Sequence, residues 1–328
     1  MLPGVARPDP ELPPVSDRAA AAAAGLSNGQ VSRRLSSGSW TRLRHGWFSP
    51  VSGLDGQRRW YAELVAHVTE HRRHLVLSHA HAARAWQWPA PLAGWGAMSF
   101  TASQGSTRAG TVKIFVSPLD ADEYVGTGRL LVTSPARTVV DCARTLPPRD
   151  ALAIADAALA SRRVTPVELT LAVARVKGWP GAPQARRVMA LADGRRESPL
   201  ESWSAWTFDE QGLPAPQWQV EIADALGQVI GRGDCWWRDG LLGEADGRAK
   251  YRTRALERGA GTLDDYESVL HDERTREMRL RRTGLLVVRW EARDVLVPVR
   301  AQALATYIRT QLSAAAALPF EGSVRFTG

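Results

Sequence analysis

Cysteine is nearly absent: the 328 residues contain two, Cys142 and Cys235, far apart in the chain. A disulfide framework is out of reach, and no Cys/His set has the spacing of a structural zinc site. Long apolar runs are missing too. The alanine tract Ala19 to Ala24 falls far short of the ~20 residues that cross a bilayer. The Pro-rich start is not a basic segment followed by an apolar one, so no secretory leader is expected. These absences make a soluble, cytoplasmic protein with no membrane partner the expectation. No internal repeat is visible.

What is present points to a globular protein. The apolar fraction is 44% and the charged fraction 23%, enough to bury a sizeable core. The length suits two or three domains. Lys and Arg number 42 against 34 Asp and Glu, a net charge of +8, which favours a polyanionic partner.

The chain divides by composition. Residues 1–16 hold five prolines without periodicity and read as a disordered arm. Residues 17–90 start with a helix-forming stretch, Asp17 to Ala24, closed by Gly25. Ser27 can cap a second helix from about Asn28 to Ser36, ended by Gly38. Trp40 to Ser49, turning at Arg44-His45-Gly46, reads as a short hairpin. Helix, turn, helix and hairpin is the order of a winged helix-turn-helix. Residues 91–193 form a mostly helical middle region with strands near Thr111–Ser117 and Arg129–Thr133. A capping box, Thr165 to Glu168, opens one of its helices. Residues 194–328 give a helix (Pro199–Glu210), three strands (Gln217–Ile222, Val229–Trp237, Leu241–Asp246), a helix (Tyr266–Arg282), a strand (Leu285–Trp290) and a final helix. The fold class expected is therefore multidomain α/β.

On the second helix Gln30, Arg33 and Arg34 fall at i, i+3 and i+4, opposite Leu26, Val31 and Leu35. Arg can pair bidentately with guanine, and Gln with adenine, in a major groove. Arg42, Arg44 and His45 on the hairpin would reach phosphates or the minor groove. From Ser27 to His74 eight arginines face three acids, so the basic excess is local. DNA is the partner this pattern predicts; a solvated helix face on a small α domain is the plainer alternative.

Gly25-Leu26-Ser27, Val31, Arg33-Arg34-Leu35, Gly38, Trp40, Leu43 and Arg44-His45-Gly46, with Leu77-Ser78-His79-Ala80 and Thr133 to Asp141, resemble the AbiEi-type antitoxins over about residues 17–190. The resemblance implies a DNA-binding regulator fold, and a nucleotidyltransferase-like toxin as a partner to look for.

The C-terminal region carries acids in a pattern. Asp234 lies on the second strand of this region, and Glu244 with Asp246 on the third, where alternation puts the last two on one face. A tight turn at Arg238-Asp239-Gly240 can bring Asp234 beside them. Converging carboxylates repel and need a cation; Mg²⁺ prefers such oxygens and binds phosphate as well. Lys250 could orient a water or stabilise charge on a phosphorane. Glu201 fits either a capping box with Ser198 or a reach from the helix to the acids. The run of arginines near Arg276, Arg279 and Arg282 reads as a salt-bridged face or as a phosphate track.

Glu201, Gly233-Asp234, Gly243 to Tyr251, Glu273, Arg276, Leu280, Gly284 and Val287 to Trp290 resemble the Vsr-like branch of the PD-(D/E)XK nucleases over about residues 195–300. The resemblance implies a restriction-endonuclease-like αβββαβ domain with Asp234 and Glu244 as metal ligands, Glu201 as the helix-borne acid and Lys250 as a displaced lysine. Asp246 stands where the family's E-x-K pattern has lysine, and the repair enzymes' zinc cysteines and active-site histidines have no counterpart. Three functions follow from these readings: a Mg²⁺-dependent DNA endonuclease guided by its reader, a repressor of the antitoxin type with an idle nuclease fold, or an interaction module.

Overall fold

The computed structural model describes all residues except 1–11, 72–73, 105–107, 110–111, 128–129, 239, 247–274, 277, 281 and 327–328. The fold is mixed α/β, with three sheets among the described residues. It divides into two compact units, Met1–Cys142 and Ala143–Gly328. No helix among the described residues is long and apolar enough to cross a membrane.

The first unit opens with β1 (Ser16–Asp17), α1 (Arg18–Ala23), α2 (Asn28–Ser36), β2 (Thr41–Arg44) and β3 (Trp47–Ser49). Asp17 caps α1 by accepting from the Ala20 N–H, and Ser27 caps α2 in a reciprocal box with Gln30. Gly38, at φ 73°, lets the chain leave α2 through the left-handed region. Ala21, Val31 and Phe48 are buried together, with Leu26, Leu35 and Trp40 packed on them, so the apolar stripe expected of α2 faces this core. The rings of Trp40 and Phe48 stack at 5.1 Å. The three strands pair in the order β1-β3-β2.

After α3 (Gly56–His71) come β4 (Val76–Leu77), α4 (His79–Ala85), β5 (Met98–Ala102), β6 (Arg108–Ala109), β7 (Val112–Val116), β8 (Tyr124–Thr127) and β9 (Leu130–Thr133). They build a six-stranded mixed sheet, β6-β7-β5-β4-β9-β8. This differs from the mostly helical region expected from 91 onward, and the expected division after residue 90 falls inside the sheet, because β4 pairs with both β5 and β9. α5 (Pro135–Thr145) follows, opened by Pro135 as the sequence indicates. Its Arg137 is buried and holds Asp141 at 2.9 Å, Glu123 at 2.8 Å and the Ser117 hydroxyl at 2.9 Å. The Thr133-to-Asp141 motif thus forms a strand end, a helix start and the ion pairs beneath them.

The second unit carries α6 (Pro148–Ala160), α7 (Pro166–Arg175), α8 (Ala182–Leu191) and α9 (Pro199–Glu210). A five-stranded sheet follows: β10 (Gln217–Asp224), β11 (Val229–Trp237), β12 (Leu241–Ala245) and β13 (Leu286–Trp290), with α10 (Ala292–Leu296), α11 (Pro298–Ala315) and β14 (Gly322–Phe326). The order is β13-β12-β11-β10-β14, with β12 and β13 parallel and the rest antiparallel. Residues 275–276 and 278–280, just before β13, are helical. The first helix, the three strands and the later strand expected from the sequence are therefore present, most of the expected helix Tyr266–Arg282 lies outside the described residues, and β14 is added at the edge. Val220, Ile222, Trp236, Leu242, Leu280 and Leu285 form one core of this sheet. Gly243 is required by its other face: a Cβ there would lie within 3 Å of Cys235, Trp290 and Trp237.

Candidate functional site

The candidate acids sit on α9 and on the middle strands β11 and β12. Ser198 caps α9 and places Glu201 in its first turn, where the carboxylate is 1% exposed. Glu201 accepts from the Ser198 hydroxyl at 2.7 Å and the Glu197 N–H at 3.1 Å, and its own N–H donates to Ser198, so one half of the expected box is formed and the return bond goes to Glu197 rather than Ser198. It also reaches the sheet: Gln219 on β10 donates its Nε2 to Glu201 at 2.7 Å. Glu201 thus serves the start of α9 without closing the full reciprocal box, and its strand partner is a glutamine rather than one of the acids.

Gln219 is the residue the sequence reading missed. It is 2% exposed and sits at φ 59° in the middle of a strand, a conformation costly for a residue with a Cβ. The pairs Trp218–Cys235 and Val220–Gly233 put it level with Asp234. Extending the Cys235–Gly243 pair by one residue puts Asp234 level with Glu244, and Glu244 is itself paired with Arg289. Gln219, Asp234, Glu244 and Arg289 thus stand in one row across four strands. Its only trace in the sequence is a glutamine on each side of Trp218.

The Asp234 carboxylate accepts from the Ala245 N–H at 2.7 Å, joining the two strands where their ladder ends. Cys235, fully buried between them, has its thiol pushed well up by burial and then by the charges of Asp234, Glu201 and Glu244, with Arg196 opposing. Those three acids therefore all lie within electrostatic reach of one sulfur. Asp246 follows Glu244 by two residues, and its N–H donates to the Trp290 carbonyl at 2.7 Å. Lys250 lies outside the described residues.

Glu244 is held by two cations. Arg276 Nη2 donates to its Oε1 at 2.5 Å and Arg289 Nε to its Oε2 at 2.8 Å. Burial alone would raise this carboxyl, but Arg276 first and Arg289 with it bring it below the usual range. Arg276 reaches it over Gly231, where a Cβ would come within 2.5 Å of the guanidinium, and also donates to the Arg232 carbonyl at 2.6 Å. Arg279 donates to the Gln228 side chain at 2.8 Å.

The basic residues of the first unit sort into two groups. Gln30 and Arg33 on α2 are exposed, and so is Arg42 on β2. Among the described residues neither Arg33 nor Arg42 has an ion-pair partner. Gln30 accepts the Ser27 N–H at 2.8 Å, so its amide oxygen serves the helix start. Arg34 is exposed but lies over the Trp40 ring at 4.9 Å, and Arg44 is paired with Glu70 and lies 5.8 Å from the Trp47 ring centre.

No family model matches the chain. Two uncharacterized Mycobacterium tuberculosis proteins, MT2308 of strain CDC 1551 and Rv2248 of strain H37Rv, are each 41% identical to it over 109 residues, 33% of this chain. The matched stretch spans 40% of each relative, so the chain covers about two fifths of the curated relatives it matches.

Proposed function

We propose that this protein is a DNA-binding regulator: a winged helix-turn-helix at its start reads DNA through α2, and a nuclease-type domain at its end is held without a metal. The observation that carries the reader is the exposed Arg33 on a helix fixed at both ends by the Ser27 box and Gly38, with the β2–β3 hairpin and Arg42 beside it. A rigid short helix with unpaired cations is what major-groove recognition needs, because its side chains reach bases without the backbone paying for order.

Cleavage is the second reading, and the level placement of Asp234 and Glu244 on adjacent strands favours it. In that reading Asp234, Glu244 and Asp246 hold Mg²⁺, Glu201 assists from α9, and Lys250 stabilises developing charge. The bound ion would supply a nucleophilic water and a clamp on the phosphate. The residues as arranged do not fit that ion. Both Glu244 oxygens are taken by guanidinium groups, and both Glu201 oxygens accept from protein donors. The charge that a divalent cation would neutralise is already neutralised by Arg276 and Arg289. This supports the regulator reading, in the manner of the AbiEi-type repressors, over a Mg²⁺-dependent endonuclease.

A nicking assay separates the two. Full-length protein with supercoiled plasmid and Mg²⁺ is expected to bind without cutting. Nicking that Asp234→Ala abolishes would establish the endonuclease instead.

A further inference from the structure

Beside the α7–α8 turn the second unit has an open cavity of about 1110 Å³. Its walls include Val173, Trp179, Pro180, Pro183 and Met189, while among the described residues its only charged lining residues are Lys177 and Arg186. Among the described residues neither cation has an ion-pair partner. The walls are built rather than incidental. Gly181, at φ 80°, packs so closely on the Arg144 carbonyl that a Cβ would lie 2.1 Å from its oxygen. Arg144 in turn lies 4.9 Å from the Trp179 ring centre and donates to the Pro180 carbonyl at 2.8 Å. The turn carrying Lys177 and Trp179 is thereby fixed.

An apolar concavity with a few convergent polar groups is the general form of a small-molecule site. Here both charged groups are cationic and, among the described residues, no acid lines the cavity. We propose that this cavity binds an amphiphilic anion: a small molecule with an apolar body, packed on Trp179, Pro180 and Met189, and one carboxylate, sulfonate or phosphate head paired with Lys177 and Arg186. Methionine suits such a wall because its unbranched side chain adapts to different apolar shapes. The site is independent of DNA reading and of the acids.

The full-length protein is titrated with 8-anilinonaphthalene-1-sulfonate, whose fluorescence rises in apolar sites, and with the uncharged N-phenyl-1-naphthylamine. Saturable binding of the sulfonate is expected, displaced by decanoate. Lys177→Glu with Arg186→Glu should weaken the sulfonate by roughly 10- to 100-fold, the loss of two charge-assisted contacts, and the neutral dye by less than about 2-fold. Ala174→Phe, which fills the cavity from α7, should abolish both. The proposal is overturned if the sulfonate does not saturate, if charge reversal weakens both dyes equally, or if Ala174→Phe leaves binding intact. Displacement by anionic phospholipid vesicles but not by decanoate would also overturn it, assigning the face to a membrane surface.

Discussion

Glu244 and Arg289 are neighbours in register on parallel strands, and the pairing is reinforced by a 2.8 Å bond between their side chains. With Arg276 on the other oxygen, the most chemically suggestive acid of the C-terminal domain is tied into the sheet. Such a carboxylate contributes stability that is present above its ordinary pKa and lost as pH falls through its depressed folded value. Arg289→Met should cost about 1.5–3 kcal/mol, the range for hydrogen bonds to a charged group. Thermal melts with Mg²⁺ and with EDTA should coincide for the wild type. A rise in Tm on adding Mg²⁺ to the wild type would show that the ion displaces the arginines.

Gln219 offers a separate test of the row. Gln219→Ala and Gln219→Gly both delete the bond to Glu201, leaving a buried carboxylate short of a donor at a cost of about 1–3 kcal/mol. Only glycine takes the positive φ without strain, so Gly should be the more stable variant by about 1 kcal/mol. Urea denaturation measures the difference. Equal stabilities would mean that the backbone there is unstrained.

Arg137 is the corresponding anchor of the first unit. Removing it takes the paired cation from Asp141 and Glu123, whose side chains are 0% and 11% exposed. Arg137→Ala should destabilise by about 3–5 kcal/mol, the cost of an uncompensated buried charge. Loss of less than 1 kcal/mol in a denaturant titration would contradict the role given to this cluster.

His81 predicts a pH response in that unit. Burial, and then the charge of Arg84, depress its pKa to about 4. Between about pH 6.5 and 4 the unfolded imidazole binds a proton that the folded one resists, so stability falls on acidification across that window. The full effect is roughly 3 kcal/mol. Melts at pH 7 and 5 should show the loss in the wild type and a smaller one in His81→Phe. In the second unit buried Asp156, pushed up to about 6 mainly by burial, works in the opposite sense, gaining relative stability as pH falls from 6 towards 4.

Local chemistry made much of the fold legible in the sequence. The Ser27 and Thr165 boxes and the Pro135 and Pro166 helix starts each act within four residues, and all formed where their side chains indicated. The strands β10 to β12 were readable because short turns separate them clearly. Of the six-stranded sheet, β7 and β9 were legible and the other strands were not. β4 has two residues, and β5 is buried at every position from Met98 to Ala102, so neither shows the alternation that marks a half-exposed strand. β14 gives little signal because its pairing with β10 joins residues about a hundred apart. Among the candidate site residues the acids could be named from spacing. Their neutralisation by Arg276 and Arg289 could not, since those partners lie 32 and 45 residues away and depend on register.

The most direct test of the account is DNA binding by the reader. Arg33 is the residue to change, because Gln30→Ala would also uncap α2. A duplex is first selected from a random-sequence pool with the full-length protein, and binding is then followed by fluorescence anisotropy at fixed salt. Arg33→Ala should weaken the selected duplex by about 1–3 kcal/mol and an unselected one much less. Equal affinity of wild type and variant for the selected duplex, or failure to select any sequence, would contradict the account.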